Sequence, residues 1–270
     1  MNEIISYLFI IYIIIYLVSI IIDNNISLEK FTDNTKKIII ENNDIVDKNT
    51  NDWLQDIFDM REIITIPKRK EHVKKFCKSF DINETIFKAT LINEIDDYDN
   101  IYSLKIGEIA CAMSQQKVLQ KFIDSDHSSL LMLEDDNTPF TNNIYKDSKI
   151  DLNHIKIYVK NAVKYLPSDW DVLYLGRCWD DCRKNIKINK YLYKTNRTLC
   201  HHAIAFSRNG AEKVLNAIIH PLQKPIDHVV ATLTVNGIID SYATIIPIFY
   251  QNRDELNTTV GNYDNLPICM

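Results

Sequence analysis

The chain has 270 residues, 46% hydrophobic and 25% charged, enough for one large folded domain or two small ones with a real core. Its formal net charge is −5, and no basic block is longer than Lys68-Arg69-Lys70. Nucleic acid is therefore excluded as an expected partner, because binding a phosphate backbone needs a clustered cationic face.

Residues 4–22 are 19 uncharged positions whose only polar interruptions are serine and tyrosine. As a helix they would span about 28 Å, close to the hydrocarbon thickness of a bilayer. A cleavable signal peptide competes with this reading, but its apolar core is usually shorter. No small-x-small cleavage site follows Ile22, where the sequence runs Asp23-Asn24-Asn25. The expectation is a transmembrane signal anchor over 4–22, single-pass and type II, with the large C-terminal part lumenal. Residues 23–59 are polar and asparagine-rich without a sustained apolar period, which reads as a stem.

Over residues 60–250 strand-like and helix-like segments alternate, which predicts an α/β layered domain. A strand is expected at 62–66, and Pro67 suits the turn or helix start that leads through Phe80. A second strand follows at 85–90. Ile106, Ile109, Ala110, Met113, Val118 and Leu119 recur near helical spacing and predict a helix over 103–122. Further on come a helix near 151–165, a buried strand at 171–175 ended by Gly176, and a shorter strand at 203–206. A helix at 209–219 and a strand at 242–246 complete the order. Residues 251–270 read as an irregular tail.

The most chemically loaded segment is Ser129-Leu-Leu-Met-Leu-Glu-Asp-Asp136, an apolar run that stops on three acids. At the mouth of a strand, Glu134, Asp135 and Asp136 would sit where α/β sheets place their ligands. Three adjacent carboxylates repel one another unless a cation neutralises them, and hard oxygen ligands favour Mg²⁺ or Mn²⁺. Such a cation commonly holds phosphate oxygens, so the cluster points to a nucleotide-type substrate; a solvated acidic turn is the plainer alternative. Cys178, Cys182 and Cys200 could pair in more than one way in a lumenal domain. A zinc site with His201 and His202 would need tighter paired spacing than these residues show.

Five stretches occur in order: Gly107-Glu-Ile-Ala-Cys-Ala-Met-Ser114, Leu131-Met-Leu-Glu-Asp-Asp136, Asp169-Trp-Asp-Val-Leu-Tyr-Leu-Gly176, His202-Ala-Ile-Ala-Phe-Ser-Arg-Asn-Gly-Ala211 and Pro225-Ile-Asp227. This series resembles glycosyltransferase family 25, which includes lipooligosaccharide and collagen hydroxylysine galactosyltransferases. Ile64-Thr-Ile-Pro-Lys-Arg69 also looks like the family's first strand and its following arginine, and the resemblance covers roughly residues 61–250.

The resemblance implies a GT-A-like, Rossmann-type mixed sheet flanked by helices and a donor of the UDP-sugar type, with Mn²⁺ or Mg²⁺ on its diphosphate. A hexose, galactose or glucose, would pass to a hydroxyl of a glycan or of a collagen-like protein. Glu134 would face the ribose side, with Asp135 and Arg69 on the donor. Asp136, assisted by Asp135, would hold the metal. His202 matches a family position and is expected as a third metal ligand, with a core histidine capping the strand as its alternative; His201 has no such support. Asp227, held in a turn after Pro225, is the expected general base. Asp171 and Asp240 compete with it, and a helix cap is its plainer role. Two departures stand out: Gln115 follows Ser114 where the family often has histidine, and Ala110 replaces a glycine. They keep open an inactive relative serving as a membrane-anchored glycan- or protein-binding scaffold. A metal-dependent hydrolase is a further rival.

Overall fold

The structure, a computed structural model, describes residues 52–95, 104–139, 151–253 and 256. The expected anchor at 4–22, the stem up to residue 51 and most of the tail lie outside these residues. Among the described residues no helix is long and apolar enough to cross a membrane.

Strand β1 (Met60–Thr65) leads through a 3-10 turn (Pro67–Arg69) into α1 (Lys70–Phe80). Then come β2 (Ile86–Lys88), α2 (Ile106–Ile123), β3 (Ser129–Glu134) and β4 (Asn137–Pro139). Helix α3 (Leu152–Lys164) precedes β5 (Val172–Gly176) and four short strands: β6 (Trp179–Asp180), β7 (Ile186–Lys187), β8 (Leu192–Lys194) and β9 (Thr198–Leu199). The order closes with β10 (Ala203–Ser207), α4 (Arg208–Ala217), α5 (Ile226–Val235), β11 (Ser241–Thr244) and β12 (Phe249–Gln251).

Eight strands form one mixed sheet in the order β2-β1-β3-β10-β5-β11-β8-β7. β1 runs parallel to β2 and β3, and β11 parallel to β5. Between the two groups β10 lies antiparallel to both β3 and β5. The C-terminal ends of β1, β3 and β5 and the N-terminal end of β10 therefore open on one edge of the sheet.

Alternation along β3 explains the layering. Leu130 and Met132 join one apolar cluster with Val118, Leu119 and Phe122 of α2, Val214 of α4 and Val230 of α5. Leu131 and Leu133 point to the opposite face and are equally buried. A sheet buried on both faces requires near-continuous apolar strands, which is why β3 reads as an unbroken run.

The stem expectation is corrected at its end, since Trp53, Leu54 and Phe58 belong to the core. Trp53 Nε1 donates to the Phe80 carbonyl at 2.9 Å, tying this segment to the end of α1. Below it, the fully buried Arg61 guanidinium donates to both carboxylate oxygens of Asp52, and also to the Asn83 carbonyl at 2.7 Å. Removing one partner of such a pair leaves the other charge buried without compensation. Asp52→Ala is accordingly expected to cost about 3–5 kcal/mol in urea denaturation. A loss below about 1 kcal/mol would detach residues 52–58 from the core.

Candidate active site

The turn after β1 and the acids after β3 meet through Asp135. Its carboxylate accepts the Ile66 backbone N–H at 2.8 Å on one oxygen and Arg69 Nη1 at 2.7 Å on the other. Both groups are buried, with 7% and 8% of their side chains exposed. Asp135 thus uses both oxygens to join two strand ends.

Asp136 lines the cleft. Its Oδ2 accepts Gln251 Nε2 at 3.3 Å and stands 3.9 Å from Arg69 Nη1, while its backbone carbonyl accepts the Asn252 N–H. Its Oδ1 is buried with no hydrogen-bond partner. Burial, then the neighbouring Asp135 charge, raises its carboxyl above the ordinary range, and Arg69 and Arg253 oppose the shift. The β4–β12 pairing, which sets Gln251 opposite Asn137, brings the chain's far end to this acid.

Glu134 is raised further, first by burial and then by Asp136 and Asp135. It accepts Gln115 Nε2 at 3.1 Å and sits 3.7 Å from Cys111 Sγ. Gln115 turns its Oε1 toward His201 Nδ1 at 2.9 Å. The result is a chain Glu134–Gln115–His201 across the cleft wall. Burial lowers the His201 pKa to about 4, so the ring is neutral at pH 7, and its Nε2 has no partner.

Asp227 occupies the first turn of α5; the turn expected for it is the start of a helix whose cap residue is Pro225. Its carboxylate accepts the N–H of Cys200 at 3.2 Å and of His228 at 2.8 Å. Of the three aspartates considered, it alone lines the cleft. Asp171 is buried against Asn209, Lys213 and the Asp240 backbone, and Asp240 pairs with Lys194. A Cys178–Cys200 disulfide joins the end of β5 to the start of β10, and Cys182 is also disulfide-bonded.

The structure separates His202 from the acids. Adjacent residues entering a strand face opposite sides, so when His201 points toward α2, His202 points away. Its Nε2–H donates to the Phe249 carbonyl at 3.2 Å, and a Cβ on Gly176 would collide with this ring. His202 is not part of the cleft wall, whereas its neighbour is. Among the described residues, no group of three or more His, Cys, Asp or Glu is arranged to hold a metal. Asp136, with its Oδ1 unpartnered, is the carboxylate of this set that could hold a hard cation.

These groups line a cleft of about 540 Å³, with Lys68, Arg69 and Arg253 on its wall beside the acids and Leu199, Pro225 and Ile226 beside Asp227. Sequence reasoning missed Gln251, Arg253, Cys111 and His201. Only His201 carried a usable signal, the alternation that allows one of two adjacent histidines to face the site.

Residues 62–230, more than half of the chain, match the family described as Glycosyltransferase family 25 (LPS biosynthesis protein). The mixed α/β sheet and its acid-lined cleft thus belong to a glycosyltransferase domain, with the cleft as its candidate active site. The chain belongs to glycosyltransferase family 25. Comparison with curated proteins gives no match. Among solved structures, the crystal structure of A197 from STIV is similar at 14% identity and a TM-score of 0.36, over 76% of this chain and 98% of that one.

The buried His202 makes stability depend on pH. Its folded pKa is lowered to about 3 by burial, so below pH 6.5 the unfolded chain takes up a proton that the folded one refuses. Stability from this site is full above that pH and is lost as pH falls, by about 2 kcal/mol from pH 7 to 5. The raised carboxyls act in the opposite direction, so the test is a difference. Relative to wild type, His202→Asn should lose less stability between pH 7 and 5 in chemical denaturation, and parallel profiles would refute the assignment.

Proposed function

We propose that this glycosyltransferase moves a hexose, galactose or glucose, from a UDP-sugar to a hydroxyl of a glycan or of a hydroxylysine-bearing protein. The observation that carries the reading is Asp136, a buried carboxylate with one unpartnered oxygen, set beside Arg69 and Arg253 at the mouth of β3. That arrangement suits a diphosphate and a shared cation, Mn²⁺ or Mg²⁺, which Asp136 would hold. When bound, the cation neutralises charge developing on the departing diphosphate.

The chain's own residues do the rest. Arg69, fixed by Asp135, presents positive charge to the phosphates. Glu134 lies on the ribose side of the acids. Asp227 accepts the proton of the attacking hydroxyl as the anomeric carbon–oxygen bond to the diphosphate breaks and the new glycosidic bond forms. The two backbone N–H groups on its carboxylate hold it in place for that transfer. We read the sheet as GT-A-like on the strength of the family. The Cys178–Cys200 disulfide supports an oxidising compartment, in keeping with the lumenal, anchored topology expected from residues 4–22.

Asp136→Asn is expected to lower kcat/KM for UDP release from UDP-galactose or UDP-glucose with Mn²⁺ by at least about 100-fold. Its melting temperature should hold or rise, because a costly buried charge is removed. Turnover within about threefold of wild type would take the acids out of the mechanism. Asp227→Asn should lower kcat by about 10²- to 10⁴-fold with little change in donor KM. A rise in donor KM at constant kcat would make it a binding residue instead.

A further inference from the structure

His201 is a buried ring whose role the preceding reading leaves unassigned. Only 3% of it is exposed, and Tyr174 packs at 6.0 Å between ring centroids. Gln115 donates its amide N–H to Glu134 Oε1, so the other end of that amide, a carbonyl oxygen, faces His201 Nδ1. A carbonyl only accepts, which places the imidazole proton on Nδ1 and leaves a lone pair on Nε2. That nitrogen is the unpartnered one, on a residue that lines the cleft. A buried acceptor without a partner is costly to maintain, and bound substrate is the natural source of its donor.

The neighbourhood defines the donor. The wall around His201 holds the acceptor Asp227 and Glu134, whose Oε1 is taken up by Gln115, beside apolar Leu199, Pro225 and Ile226. The guanidinium groups of Arg69 and Arg253 act instead on Asp136. An acceptor-rich, partly apolar wall suits a sugar ring, which offers hydroxyl donors and C–H faces. The Gln115 bridge keeps His201 one side chain from Glu134, itself two residues from the proposed phosphate site.

We propose that His201 Nε2 accepts a hydrogen bond from a hydroxyl of the bound hexose, with Gln115 as the positioning residue that fixes its tautomer. This rests on the donor reading above. The test is calorimetric binding of UDP, UDP-galactose and UDP-glucose with Mn²⁺ to the full chain. Wild type should bind at least one UDP-hexose more tightly than UDP. His201→Leu should lose about tenfold of that preference with UDP affinity within about twofold, and His201→Gln, which keeps an acceptor at similar reach, should recover most of it. Gln115→Met, which leaves the ring but frees its tautomer, should give an intermediate loss. If donor binding holds while KM for galactose or hydroxylysine as acceptor rises about tenfold, the hydroxyl belongs to the acceptor and the inference as stated is overturned. A His201→Leu protein unchanged in all these constants overturns the inference. Failure of wild type to bind UDP would sink the donor reading and this inference together.

Discussion

Asp135 is the joint on which the site depends. By accepting a backbone N–H from the turn after β1 and the guanidinium of Arg69, it fixes the ends of two adjacent parallel strands relative to each other. Its neighbours then have defined places: Asp136 toward the C-terminal strand pair, Glu134 toward α2. Were Asp135 free to swing, the three carboxylates would separate by repulsion toward solvent. Its pairing with Arg69 holds it in place, and its charge still raises the carboxyls of both neighbours.

That closeness is bought at a cost in stability. Glu134 and Asp136 both sit where burial and like charge disfavour ionisation, and Cys111 beside them is driven away from its thiolate form for the same reasons. A protein selected for stability alone would dilute such a cluster. Carboxyls with ionisation so strongly disfavoured, in a cleft, mark a candidate functional site.

Much of the sheet was legible in the sequence because its strands are short, apolar and bounded by polar turns. The segment 129–134 and the helix around 106–123 follow from burial and period alone. Helix α5 was hidden: Ile226-Asp-His-Val-Val-Ala-Thr-Leu-Thr-Val235 is rich in β-branched residues, and its helical state is imposed by packing against α2 and α4. The acids were legible as a group, but their division of labour was not. Nothing local tells that Asp135 will find Arg69 or that Asp136 will keep an oxygen free, since both depend on strand neighbours distant in sequence. The histidine pair shows the same limit. Motif matching favoured His202, whereas the alternation of side chains along the chain puts His201 on the wall.

The pairing of β12 with β4 has a consequence for how the site comes into being. The strand that carries the acids is made first, and the segment that meets Asp136, residues 249–253, follows more than a hundred positions later, at a separation of 115 for Gln251. On a growing chain the acid cluster therefore emerges well before its last wall exists, and the cleft is closed by one of the final described elements to leave the ribosome. The order of synthesis thus withholds this wall of the pocket until the sheet beneath it has been made.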